Sequence, residues 1–301
     1  MLTYTSSLEQ DKSYWDFGGQ ESNYNYVRAA TDAGYATLHW SRPGTGNSSS
    51  GNPYSILQAD IQAAVLIEIT KRFRSGELHP NLPTPSGRVL HVGHSFGSIM
   101  SNVLIAKNPE LSDGVILTGF SHNSSFPPGF PISSNFHLAK ENRPELWGNY
   151  STGILTWGDE LALQYNFLKH PYFDPEVLAK AEATKAPFSI SEFLTLWLPS
   201  LVAPSFTGPV LVGTRAFVKF MCRPVSEYLE ADHSVQIITG DSDLAFCGGN
   251  CEGVLEPAAV AFPASTNFAT YIQPNAAHGL NLHRNASAFY DVILEFLEVE
   301  N

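Results

Sequence analysis

Residues 88–92, Arg-Val-Leu-His-Val, run without a break into Gly93-His94-Ser95-Phe96-Gly97, and a helical pattern follows to about residue 106. A strand that turns this abruptly into a helix constrains the fold more than any other feature of the chain. The glycines let strand and helix approach closely. The serine between them is pushed up above a sheet, at a helix N-terminus, where developing negative charge is favoured. Such a turn belongs to a mostly parallel sheet flanked by helices.

The remaining pattern agrees. Short apolar runs at 2–5, 35–40, 114–118, 209–212, 234–238 and 269–273 read as strands, and helical periodicity appears at 24–33 and 56–74. In the last helix Phe289, Val292, Ile293, Phe296 and Leu297 share one face. Between 121 and 206 the alternation ceases. That stretch carries Phe126, Pro127, Pro128, Phe130, Pro131, Trp147, Trp157 and Trp197, with helical patterns over 159–167, 175–185 and 191–199. Linkers are not loaded with Trp and Phe, so the sequence predicts a helical lid at 121–206 inserted into a core built from 1–120 and 207–301. Most of these aromatics would simply pack lid against core.

Composition bounds the partners. The 301 residues hold 17 Lys+Arg against 29 Asp+Glu, a net charge of −12, and only 15% are charged while 43% are hydrophobic. A chain of this size buries roughly 75% of its unfolded surface as one domain. Beyond 71–74 there is no basic cluster to attract nucleic acid or anionic lipid. No apolar run reaches the roughly 20 residues of a membrane span. Residues 1–7 have neither a basic nor an apolar leader region, so no signal peptide is expected there. A cytoplasmic location and, with a leader, a secreted one both stay open. Sequons at Asn47, Asn123, Asn149 and Asn285 bear on the second. Cys247 and Cys251, separated by Gly-Gly-Asn, could close a small disulfide loop or stay reduced, and Cys222 is left over. No second Cys or His pair stands nearby at metal-ligand spacing, so no metal is expected.

A serine hydroxyl needs a histidine base and an orienting carboxylate to become a useful nucleophile. The strand-end loop Thr239-Gly-Asp-Ser-Asp243 offers the acid; Asp243 is the choice and Asp241 is assigned to capping the turn. The alternative place after the strand at 114–118 holds no carboxylate among 119–122. His278, in the loop before the last helix, is the base. His283, read as part of that helix, and His39, His91, His94 and His122 are assigned structural or hydrogen-bonding roles.

With Tyr14-Trp-Asp16, the loop at 41–49 and the runs at 240–251 and 277–286, these motifs resemble the α/β-hydrolase superfamily, and more narrowly fungal α/β-hydrolases of secondary-metabolite and toxin pathways. The resemblance implies a Ser95, Asp243 and His278 triad with no metal or organic cofactor. It also implies an oxyanion hole made by the Phe96 N–H and a second amide, which falls at Leu8 here. Two departures accompany it. The family carries two further strands before the position of 2–5 and a His-Gly pair where Ser6-Ser7 stand. Its strand also runs directly from the equivalent of 209–212 into 237–240, whereas this chain interposes 213–236, read either as a helical insertion or as a translated intron. The implied activity is a serine hydrolase acting on an ester, lactone or thioester of a small to medium substrate with an apolar portion. The alternatives are a non-catalytic ligand-binding member and a triad-bearing lyase or cyclase. The acidic balance disfavours anionic substrates.

Overall fold

The computed structural model describes residues 2–5, 11–19, 21–126, 129–208, 210–211, 236–265 and 268–299. Its larger sheet is built from β1 (Leu2–Thr5), β2 (Thr37–His39), β3 (Leu90–His94), β4 (Gly114–Thr118), β8 (Val210–Leu211), β9 (Gln236–Gly240) and β10 (Phe268–Gln273). Every pairing in it is parallel, with β1 between β2 and β3, and β3 between β1 and β4. Parallel neighbours need long crossovers, and helices supply them. They are α1 (Tyr26–Asp32), α2 (Ala59–Ser75) and α3 (Phe96–Lys107), while α11 (Ala286–Val299) follows the last strand. α2 packs with α3, and α1 with α11.

α3 is buried from Phe96 to Ile105, as expected of a helix that is apolar on most sides and lies at the middle of the molecule. α2 begins at Ala59, three residues later than its periodicity suggests, and ends at Gly76, which takes the left-handed conformation (φ 77°) of a helix C-cap.

β8 and β9 occupy one strand position. Val210 pairs with Val115 of β4 and Phe268 of β10, and Gln236 pairs with the next residues along, Ile116 and Ala269. Ala269 is also the partner of Leu211, so Leu211 and Gln236 share a register position. The sequence predicts two separate strands here; in the structure they are two halves of one. Of the segment 213–236 discussed above, only Gln236 lies within the described residues.

Between β4 and β8 the chain forms α4 (Gly129–Ser134), β5 (His137–Leu138), α5 (Ala139–Asn142), α6 (Pro144–Trp147), β6 (Ile154–Thr156), α7 (Glu160–Phe167), α8 (Pro175–Ala183), β7 (Phe188–Ser189) and α9 (Ile190–Leu194). β5, β6 and β7 make a small antiparallel sheet that the helical reading of this stretch did not contain. Its strands are two or three residues long, too short to leave a period-2 signature. Trp157 is the hub of this segment, with Phe130, Phe136 and Phe167 all 5.2 to 5.3 Å away between ring centroids. The last short helix, α10 (Leu244–Cys247), follows β9.

Candidate active site

β3 delivers Ser95 to the end of the sheet in a left-handed backbone conformation, φ 56° and ψ −117°. A non-glycine residue there is strained by of order 1–3 kcal/mol and is held by its surroundings. The Ser95 N–H donates to the Thr118 carbonyl (2.9 Å), and the Ser98 hydroxyl donates to the same oxygen (2.8 Å). Gly93 is required by close approach, since a Cβ there would sit 2.5 Å from the Gly97 carbonyl and the Ser98 Cα. Within 93–97 only Ser95 is not fully buried. The Phe96 N–H lies in the first turn of α3, where helical amides have no carbonyl a turn earlier to bond.

β9 ends in Gly240, and Asp243 caps α10, with its Oδ1 accepting the Phe246 N–H at 3.0 Å. Its Oδ2 accepts the Thr239 hydroxyl at 2.5 Å and His278 Nδ1–H at 2.8 Å. Burial pushes the Asp243 carboxyl up, but the charge and hydrogen bond of His278, with those from Thr239 and Phe246, outweigh it and hold the group below the usual carboxylate range. The proton of His278 is thereby assigned to Nδ1. Nε2 is left as a buried acceptor with no partner among the described residues.

The imidazole of His278 is fully buried between aromatic rings, Phe167 at 5.1 Å and Phe246 stacked at 5.6 Å, with the ring of His94 5.0 Å away. Gly119, which follows Thr118 at the end of β4 (φ 53°), lies beside both histidines; a Cβ there would be 2.5 Å from His94 Cε1 and 3.1 Å from His278 Cε1. Ser95 is one hydrogen bond from Thr118, so the Ser95 turn, the β4 end and the His278 loop meet at this point.

The match to the alpha/beta hydrolase family runs over residues 6–291, nearly the whole chain. The chain belongs to that family. No curated protein sequence matches it. Among solved structures, an Arabidopsis methylesterase, MES16, is similar with a TM-score of 0.59 at 13% identity, covering 99% of this chain and 98% of that one. A Paleococcus ferrophilus monoacylglycerol lipase superposes with a TM-score of 0.59 at 12% identity over 100% and 94%. A Thermogutta terrifontis esterase does so at 0.62 and 14% over 99% and 89%. At these identities the likeness is one of fold.

His91, His94, His122 and His283 are hydrogen-bonded pieces of this alpha/beta hydrolase scaffold. His91 bridges the hydroxyls of Thr70 (3.0 Å) and Ser112 (2.7 Å), and burial pushes it down to about 3. His94 stacks on Tyr14 at 4.3 Å, and its Nδ1 meets the Thr118 hydroxyl at 3.1 Å; since that hydroxyl donates to the Gly93 carbonyl, His94 Nδ1 is the donor. His283 precedes the last helix instead of lying within it. Its Nδ1–H donates to the Gly279 carbonyl (2.9 Å) and its Nε2 accepts the Lys169 (3.0 Å) and Ala277 (3.2 Å) amides, so it braces the His278 loop. Burial lowers it to about 4. Asp241 binds Lys169 Nζ through both oxygens (2.8 Å) and accepts the Asn275 N–H (3.0 Å), which takes it away from His278.

Cys247 and Cys251 form a disulfide across the turn that Asp243 begins. The sequon residues Asn47 and Asn149 are exposed, whereas Asn123 and Asn285 are half-buried and the Asn285 amide donates to the Pro274 carbonyl. Leu8, the candidate second oxyanion donor, lies outside the described residues, as do Ser6, Ser7 and Cys222. Among the described residues no group of three or more His, Cys, Asp or Glu could hold a metal ion, and no helix is long and apolar enough to cross a membrane. Sequence reasoning missed Thr239, Gly119 and Phe167 as parts of the site. A glycine directly after a central strand was the available signal for Gly119; Phe167, which lies far from the triad motifs, left none.

Proposed function

We propose that the chain is a serine hydrolase that cleaves an ester, lactone or thioester of a small to medium substrate with an apolar portion. The observation that carries this reading is the buried Asp243 to His278 hydrogen bond, which leaves Nε2 unprotonated in the same corner as a strained, accessible Ser95. Ser95 Oγ attacks the carbonyl carbon while His278 Nε2 takes its proton. Asp243 fixes the tautomer and stabilises the imidazolium. The Phe96 N–H holds the oxyanion with a second amide, assigned to Leu8. His278 then returns the proton to the leaving group, and water repeats the sequence on the acyl-enzyme. Phe167 belongs to the segment 121–206, which acts as a lid and makes the acyl or alcohol side of the pocket apolar. The esterase and lipase names among structures of the same fold support this class of reaction.

The test is a series of p-nitrophenyl esters of graded chain length turned over by the wild type and by Ser95→Ala. Turnover abolished by the substitution is expected. Equal turnover by both would remove Ser95 from the reaction, and none by a folded wild type would favour a non-catalytic binding role instead.

A further inference from the structure

Arg42 and Glu192 form an ion pair with both side chains only 1% exposed, and nothing in the proposed chemistry uses either group. Arg42 follows β2, and its guanidinium carbon lies 5.1 Å from the centroid of the Phe96 ring. Its Nη1 donates to Glu192 Oε1. Glu192 stands in α9, and its two oxygens are shared out: Oε1 also accepts from Gln62 Nε2 of α2 (2.7 Å), and Oε2 accepts the Ser189 N–H (2.8 Å) in a capping box. The same short stretch is sewn to the sheet domain by the Ser189 hydroxyl on the Leu57 carbonyl (2.6 Å) and by the Ala59 N–H on the Thr195 hydroxyl (2.9 Å).

A buried ion pair of this kind contributes little net stability, because the cost of removing two charges from water offsets their attraction. Its effect must be looked for in geometry. Phe96 is the residue whose main-chain N–H faces the oxyanion in the proposed reaction, and its ring, 1% exposed, is the handle by which the first turn of α3 is gripped. Arg42 covers that ring, and Glu192 holds Arg42 from the segment that caps the sheet.

We propose that Arg42, held by Glu192, is a positioning residue for the oxyanion donor: it fixes the Phe96 ring, and so the Phe96 N–H, only when the 188–195 stretch is seated on α2. The inference rests on the hydrolase reading above. A planar guanidinium can stack on a ring where a lysine ammonium cannot, so charge and stacking separate by substitution.

The experiment measures kcat and KM on a p-nitrophenyl ester, inhibition by an aryl boronic acid that mimics the tetrahedral intermediate, and melting temperature, for wild type, Arg42→Lys and the double variant Arg42→Met with Glu192→Leu. Outright loss of one oxyanion donor costs about 100- to 1000-fold. A misaimed donor is expected to cost about tenfold of kcat, with KM nearly unchanged and boronate affinity weakened by the same factor. The double variant removes both charges, together with the acceptor of the Gln62 side chain and the Ser189 N–H, so it is expected to melt lower than the wild type yet stay folded and retain the kcat loss. Recovery of wild-type kcat and boronate affinity in the double variant would make the pair merely structural and overturn the proposal. So would an unchanged Arg42→Lys. If a fluorophosphonate fails to label Ser95 in folded wild type, the hydrolase reading itself falls and takes this inference with it; labelling with unaffected variants overturns this inference alone.

Discussion

His278 Nδ1 lies 2.8 Å from Asp243 Oδ2, and both side chains are fully buried. Asp243 receives three donors, from His278, Thr239 and Phe246, so its carboxylate is fixed before any substrate arrives. In Asp243→Asn the amide oxygen keeps the Phe246 N–H, and its NH2 must face His278 Nδ1. That forces the proton to Nε2, the wrong tautomer for a base. The expected result is a fall in kcat of about 10⁴-fold, with KM little changed, measured on any ester the wild type hydrolyses.

The split strand gives a prediction about length. Because Leu211 and Gln236 share the partner Ala269, deleting residues 212–236 joins Leu211 to Ile237 without a change of register. A one-residue slip turns every side chain of a strand to the opposite face. The 25-residue deletion is therefore expected to fold, melt at or above the wild-type temperature and keep Ser95 reactive. Deleting 212–235 or 212–237 is expected to melt lower than the deletion in register. Differential scanning calorimetry of the three deletions decides it.

The disulfide is expected to matter locally. The Asp243 carbonyl accepts the Cys247 (3.2 Å) and Gly249 (2.9 Å) amides, and the Cys251 N–H donates to the Asp241 carbonyl (3.3 Å), so the bridged loop holds Asp243 in place. Closing a loop with a sequence separation of 4 is worth about 2 kcal/mol on the chain-entropy account. Cys247→Ser with Cys251→Ser is expected to lose about that much stability by chemical denaturation, and to lower kcat more than it raises KM.

Acid should unfold the protein through its buried histidines. His91 and His283 are pushed down to about 3 and about 4, and His94 well below its ordinary value, each first by burial. In the folded state they stay neutral where the unfolded chain takes up protons, so stability is lost as pH falls below 6.5. One unit below, each costs about 1 kcal/mol, against a total of about 5–15 kcal/mol for a typical domain. Asp243 has the opposite charge type: its lowered value contributes stability above the ordinary carboxylate range, lost only at still lower pH. Melting temperature is expected to fall steeply between pH 6.5 and 4. A flat profile there would contradict the burial of these rings.

The parallel sheet and the turn at Ser95 are legible in the sequence as strand and helix patterns; Asp243 and His278 are read there as candidates from strand-end position and residue type, and the structure hydrogen-bonds the two to each other. Asp241 and Asp243 were separable only by where they sit relative to the strand end, and the structure adds the reason, Lys169, from a segment over 70 residues away. His283 looked helical because its neighbours have helical spacing, yet the 3₁₀ turn Leu280–Leu282 comes first and α11 starts at Ala286. Arg42 and Glu192 are 150 residues apart and share no motif. The small sheet of β5, β6 and β7 has strands too brief to register against the helices around them. What stayed illegible depends on contacts between distant segments, which no local period encodes.

The most direct measurement is the intact mass of the purified, folded protein after exposure to a fluorophosphonate, followed by peptide mapping. A single adduct on Ser95 is expected, absent from Ser95→Ala and slowed strongly in His278→Ala. A folded wild type that gains no mass, or an adduct on another residue that persists in Ser95→Ala, would contradict the account.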